Sequence, residues 1–103
     1  MQATDLQVAN TIRQQLGGNK FSAMTGASNF IGSADALSFR LPSNFAKDGI
    51  NAVRVTLTPA DTYTVKYLKV RGTNLKEIKV SEDVYADQLQ ADFKAVTGLD
   101  THL

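Results

Sequence analysis

The chain contains no cysteine, which removes disulfide frameworks, thiolate metal sites and cysteine nucleophiles together and points to a reducing compartment. It has a single histidine, His102. That residue stands next to last, so a Ser-His-Asp arrangement or a histidine-bearing metal site would have to rest on a frayed tail. No apolar run approaches the ~18 residues of a membrane span, and the polar opening MQATDLQVANTIRQQ lacks the basic and apolar regions of a signal peptide. A soluble, cytoplasmic protein without membrane contact is the expectation. Neither the dinucleotide glycine fingerprint nor the P-loop pattern occurs, so no phosphate-bearing cofactor is implied, and Gly26 and Gly32 read as turn or bulge glycines. No internal repeat is evident.

What remains suits a single folded domain. A chain of 103 residues with 43% hydrophobic side chains can bury enough apolar surface to fold without metals or disulfides. Net charge is only +1, so no global field attracts nucleic acid or membrane. The charges are nevertheless segregated. Residues 64–80 hold Lys66, Lys69, Arg71, Lys76 and Lys79 against Glu77, whereas residues 81–103 hold Glu82, Asp83, Asp87, Asp92 and Asp100 against Lys94.

Thr4-Asp5-Leu6-Gln7 has the form of a capping box, and Leu6, Ala9, Ile12 and Leu16 recur at helical spacing before Gly17-Gly18. This predicts a helix over about Asp5 to Leu16. FSAMT (21–25) and ASNFI (27–31) then read as short strands, with a turn at Ser33-Ala34-Asp35 and a further strand in which Leu37, Phe39 and Leu41 alternate with Ser38 and Arg40. Pro42 to Ile50 reads as a turn-rich connection anchored by Phe45. Leu75 to Val80 forms a short edge strand whose lysines discourage edge pairing, after a turn at Thr73-Asn74. Ser81 is a candidate N-cap for a second helix, Glu82 to Thr97, with Tyr85, Leu89, Phe93 and Val96 as its apolar stripe and Gly98 as its stop. The order predicts an α+β domain: N-terminal helix, a largely antiparallel sheet of four to six short strands, C-terminal helix, with the helices packed on one face.

The clearest element is a hairpin from Ala52 to Gly72. Val53, Val55 and Leu57 share one face and Arg54, Thr56 and Thr58 the other. A five-residue loop, Thr58 to Thr62, sets Val55 against Val65 and Leu57 against Tyr63, whereas a four-residue loop would turn half the apolar set to solvent. The same register puts Arg54 across from Lys66. The apolar phase then slips at Leu68 and Val70, and a β-bulge near Tyr67-Leu68 would reconcile the halves and leave Thr64, Lys66, Lys69 and Arg71 outward.

Candidate chemistry is sparse. Asp83 and Asp87, four apart on the expected second helix, share a face but lack the further ligands of a metal site. Tyr63, Tyr67 and Tyr85 sit on apolar stripes and read as core or core-edge residues rather than base-stacking groups. The basic set Arg54, Lys66, Lys69 and Arg71, with Lys76 and Lys79 beyond it, is the one candidate binding surface, suited to nucleic-acid phosphates or an acidic partner. Its competing reading is a solvated strand face that confers solubility.

Several strings, LGGNK (16–20), MTGA (24–27), LSFRLP (37–42), GIN (49–51), VTLTPADTY (55–63), VYADQL (84–89) and TGL (97–99), together resemble short uncharacterised proteins of bacteriophages, prophages and other bacterial mobile elements. The resemblance spans Leu16 to the end and carries over no catalytic or binding residue. It implies a bacterial cytoplasmic setting in which small non-essential proteins modulate host machinery. The expected function is a non-enzymatic accessory protein that binds a macromolecule, either nucleic acid through the hairpin or a host, phage or defence protein that it inhibits or redirects. Self-association through the sheet is compatible with both, and a small-ligand binder or enzyme is the rival class.

Overall fold

The computed structural model describes residues 7–42 and 46–99. Helices α1 (Gln7–Leu16) and α2 (Gly18–Thr25) precede strands β1 (Ser28–Gly32), β2 (Ala36–Arg40), β3 (Ala52–Leu57), β4 (Tyr63–Arg71) and β5 (Asn74–Val84), and α3 (Leu89–Thr97) follows. The strands form one antiparallel sheet in sequence order. Among the described residues no helix is long and apolar enough to cross a membrane. The capping box at Thr4, the Phe45 anchor and His102 lie outside the described residues.

Alternation decides which face of the sheet is covered. Leu37 and Phe39 of β2, Val53 and Val55 of β3, and Tyr63, Val65 and Tyr67 of β4 point to one side, where they join Ile12 and Leu16 of α1, Phe21 of α2 and Leu89 and Phe93 of α3 in a single core. Phe21 sits edge-on to both Phe39 and Phe93, at 5.3 and 5.0 Å between ring centroids. The helices therefore cover one face, as the segregated element order predicts.

Two expectations about helix boundaries are corrected. FSAMT is helical, part of α2. Five residues do not distinguish a period of 2 from one of 3.6, and the buried pair Phe21 and Thr25 follows the helical spacing. The second helix is shorter than expected. Ser81 lies within β5, which runs on to Val84, and a 3-10 turn at Ala86–Gln88 intervenes before α3. Val84 pairs with Tyr63 in the sheet and buries its side chain, which keeps this segment in the strand instead of in a helix capped by Ser81. The turn after β4 is also displaced by one residue, since Arg71 pairs with Asn74 across Gly72 and Thr73.

A short internal likeness emerges that the sequence reading passes over. Phe21-Ser-Ala-Met-Thr25-Gly26 and Phe93-Lys-Ala-Val-Thr97-Gly98 end their helices in the same way. In each, the threonine hydroxyl donates to the phenylalanine carbonyl four residues back at 2.7 Å and accepts the N–H two residues on at 3.2 Å. The glycine then turns left-handed at φ 74° and 77°. At Gly26 a side chain is also excluded by space, because a Cβ would lie 2.8 Å from the Pro42 ring.

Candidate functional site

The hairpin register is as predicted. Val55 pairs with Val65, Leu57 with Tyr63 and Arg54 with Lys66, and the loop closes through a hydrogen bond from the Thr58 N–H to the Thr62 carbonyl at 2.8 Å. The Tyr67-Leu68 irregularity is present as well, but the extra residue belongs to β5. Tyr67 pairs with Lys79 and Leu68 with Glu77, so Ile78 is the bulged residue and β4 continues against β3 in unbroken phase.

That difference redistributes the basic set. With β4 in phase, Leu68 and Val70 share the open face with Arg54 and Lys66, while Lys69 and Arg71 turn to the helix side. Lys69 stands opposite Lys76, and both line a depression beside Asp48. Lys79, opposite Tyr67, shares a concavity with Asp92. Lys66 lies 3.6 Å from Glu77, an exposed pair worth about 0–1 kcal/mol. The six predicted binding residues, Arg54, Lys66, Lys69, Arg71, Lys76 and Lys79, are thus divided between the two faces of the sheet, and the expectation of a single basic hairpin face is corrected.

What the open face presents instead is apolar. Ile31 of β1, Ala52 of β3, Leu68 and Val70 of β4 and Leu75 of β5 line a depression of ≈ 640 Å³ that crosses the sheet. Ile31 is 66% and Leu75 61% exposed. Arg40 and Arg54 also line it. The Arg40 Nε donates to the Asn51 carbonyl at 3.3 Å, and neither arginine has an ion-pair partner among the described residues. Arg40 was legible in advance from the alternation LSFRL, which sends Leu37 and Phe39 inward and Arg40 out.

No family model, curated protein or solved structure matches this chain.

The other candidates do not converge on a site. Asp83 adopts a left-handed backbone at φ 56° within β5 and Asp87 belongs to the 3-10 turn, so the pair does not share a helix face. Among the described residues no three Asp, Glu, His or Cys side chains are placed to hold a metal ion. Tyr63 and Tyr67 are buried as expected, but Tyr85 is 57% exposed, because the chain turns at this residue instead of continuing a helix.

The buried phenols are anchors. The Tyr67 hydroxyl donates to the Asp92 Oδ2 and that of Tyr63 to the Gln15 Oε1, each at 2.6 Å. Burial pushes the Tyr67 phenol well above its ordinary value, with the bond to Asp92 and the negative charge there adding to it; burial also raises Tyr63. A raised folded-state value means the native phenol keeps a proton that the unfolded chain gives up. The stabilisation is therefore complete below the ordinary tyrosine value of 10.0 and is lost as pH climbs above it. Each such phenol steepens the loss by about 1.4 kcal/mol per pH unit. Urea unfolding across the alkaline range should show this slope, and Tyr67→Phe should remove the Tyr67 share; an unchanged slope would rule out the proton-holding role.

Proposed function

We propose that the protein is a small non-enzymatic accessory protein of phage or mobile-element type that acts in the cytoplasm by binding another protein through the open face of its sheet. The observation that carries this reading is the apolar depression edged by Arg40 and Arg54. Apolar side chains edged by arginine suit a desolvated protein contact. Five strands at a spacing of ~4.8 Å and a length of ~20 Å give a face of about 500 Å² in projection, the same order as one side of a standard interface, ~800 Å². The partner that fits is an apolar surface carrying carboxylates for the two guanidinium groups.

Nucleic acid is the poorer fit to this face. Lys66 is offset by Glu77, the remaining lysines point elsewhere, and no exposed aromatic lines the depression to stack bases.

The test compares capture from nuclease-treated bacterial extract by the wild-type protein, Arg40→Glu/Arg54→Glu and the control Lys79→Glu. A protein retained by wild type and Lys79→Glu but lost with the double variant is the expected result. Equal retention by all three, or retention of nothing, would sink the reading. Salt-sensitive binding to a mixed-sequence oligonucleotide that Lys66→Glu weakens would favour the nucleic-acid alternative.

A further inference from the structure

Four large apolar side chains are exposed among the described residues: Ile31, Leu75, Val80 and Tyr85. Ile31 and Leu75 line the depression, and Val80, paired with Lys66, lies on the same open face. Tyr85 stands apart, at the corner where β5 ends. The corner is held in shape: the Gln88 N–H donates to the Tyr85 carbonyl at 2.9 Å, and the Tyr85 N–H donates to the Gln88 Oε1 at 3.4 Å. Exposed Glu82, Asp83 and Asp87 flank it, and no basic residue occurs between Lys79 and Lys94. The corner thus presents an exposed aromatic ring on a hydrogen-bonded turn, among carboxylates. The depression presents apolar side chains between two guanidinium groups that have no acidic partner among the described residues.

We propose that the Tyr85 corner of one copy docks in the open-face depression of a second copy, so that the protein assembles head to tail. This rests on reading the depression as a protein-docking face, where a second copy then competes with the partner protein. Ring meets apolar wall, and the carboxylates of Glu82, Asp83 and Asp87 meet Arg40 and Arg54. A copy does not fill its own depression. Leu75 and Tyr85 are ten residues apart along β5, on the order of 30 Å for extended chain, in a molecule whose longest dimension is 35 Å. The contact joins two different patches, so an open assembly keeps a free corner at one end and a free depression at the other, and it extends or closes as a ring, of which a reciprocal pair is the smallest.

Two symmetric alternatives fit less well. Face-to-face pairing would bring the arginines of one copy toward those of the other. Edge-to-edge pairing of β5 is obstructed by its two bulges, at Ile78 and near the left-handed Asp83, which are devices that blunt a sheet edge.

Sedimentation velocity over a concentration series provides the test. Wild-type protein should sediment as species that grow with concentration and shrink as salt is raised. Tyr85→Ser, which keeps only the depression, and Arg40→Glu/Arg54→Glu, which keeps only the corner, should each be monomeric. Their equimolar mixture should form a 1:1 dimer and nothing larger. All three substituted side chains are exposed, and unchanged thermal midpoints will show that both variants are folded. A wild-type protein that stays monomeric, or a mixture that does not recombine, overturns the proposal. If Tyr85→Ser assembles like wild type while the arginine variant does not, the head-to-tail contact is overturned but the depression remains a docking face. If the arginine variant also assembles like wild type, the corner-to-depression contact is overturned and its use of the docking face goes with it.

Discussion

Phe93→Ala should unfold with a stability loss of about 3–5 kcal/mol, the largest expected of any substitution considered. The ring is 1% exposed and meets Phe21 at 5.0 Å, Phe39 at 6.2 Å and Tyr67 at 6.5 Å. It therefore joins α2, β2 and β4 at one point. Helix α3 has nine residues, too few to persist alone, so the apolar contacts of Leu89 and Phe93 hold it in place. Truncation leaves a ring-sized void and loosens the helix that positions Asp92 beneath the Tyr67 hydroxyl. Against a total stability of roughly 5–15 kcal/mol for a domain of this size, a loss of this order lowers the thermal midpoint by about 15–30 °C. Phe93→Leu keeps most of the volume and should cost less than half as much. Urea unfolding of both variants checks this. A loss below about 1.5 kcal/mol for the alanine variant would mean that the aromatic cluster is not the centre of the core.

The parts of this fold that were legible beforehand are those governed by local period and pairing. The β3–β4 register followed from requiring Val55, Leu57, Tyr63 and Val65 to share a face, because a slip by one residue turns half of them to solvent. The Gly98 stop was readable from its position after Val96-Thr97. By contrast, FSAMT could not be assigned from its own pattern. Phe21 is helical because the Thr25 hydroxyl, the Gly26 turn and the facing Phe93 ring favour a helix end there, and Phe93 is seventy-two positions away in the chain. Val84 likewise became strand through its pairing with Tyr63. The local alternation of Tyr85, Leu89 and Phe93 carries no record of that contact.

The candidate site failed at one residue. The apolar phase shift at Leu68 and Val70 predicts a bulge in β4 only if apolar strand residues all point inward. In the structure these side chains are what makes the open face apolar, and the bulge sits in β5 at Ile78. A sequence pattern that conflicts with a one-sided core has two resolutions, a bulge or an apolar patch on the outer face. Here the choice was made by the partner strand, so Lys69 and Arg71 left the surface on which they had been placed. The acidic half of the charge segregation reappears as the Tyr85 corner, whereas Arg40 and Arg54 at the depression lie outside the basic stretch 64–80.

Asn51→Ala should cost about 2–4 kcal/mol and alter the depression as well. The last β3–β4 pair is Ala52 with Leu68, so among the described residues β4 has no strand partner on that side from Lys69 onward. Asn51 extends the ladder. Its N–H donates to the Leu68 carbonyl at 3.0 Å. Its side chain then takes the place of the next backbone amide: the Nδ2 donates to the Val70 carbonyl at 2.9 Å, and the Oδ1 accepts the Val70 N–H at 2.8 Å. Asn51 is 8% exposed, and each buried group left unpaired costs about 1–3 kcal/mol. Asn51→Asp keeps the acceptor for the Val70 N–H but sets a second oxygen against the Val70 carbonyl. It should be at least as destabilising at neutral pH and recover in part under acid, when a protonated carboxyl donates again. Hydrogen exchange distinguishes this account from a general loss of stability. The Val70 amide should lose protection at least tenfold more than the Val65 amide, which is bonded within the sheet. Equal losses at the two would show that Asn51 does not extend the ladder. Because Val70 and Leu75 form one wall of the depression, the same variant should weaken head-to-tail assembly without changing any residue of the arginine edge or the Tyr85 corner. An Asn51→Ala protein that loses the Val70 protection yet assembles as wild type would separate the rigidity of the β4 end from the contact, leaving the arginines and the remaining apolar wall to carry it.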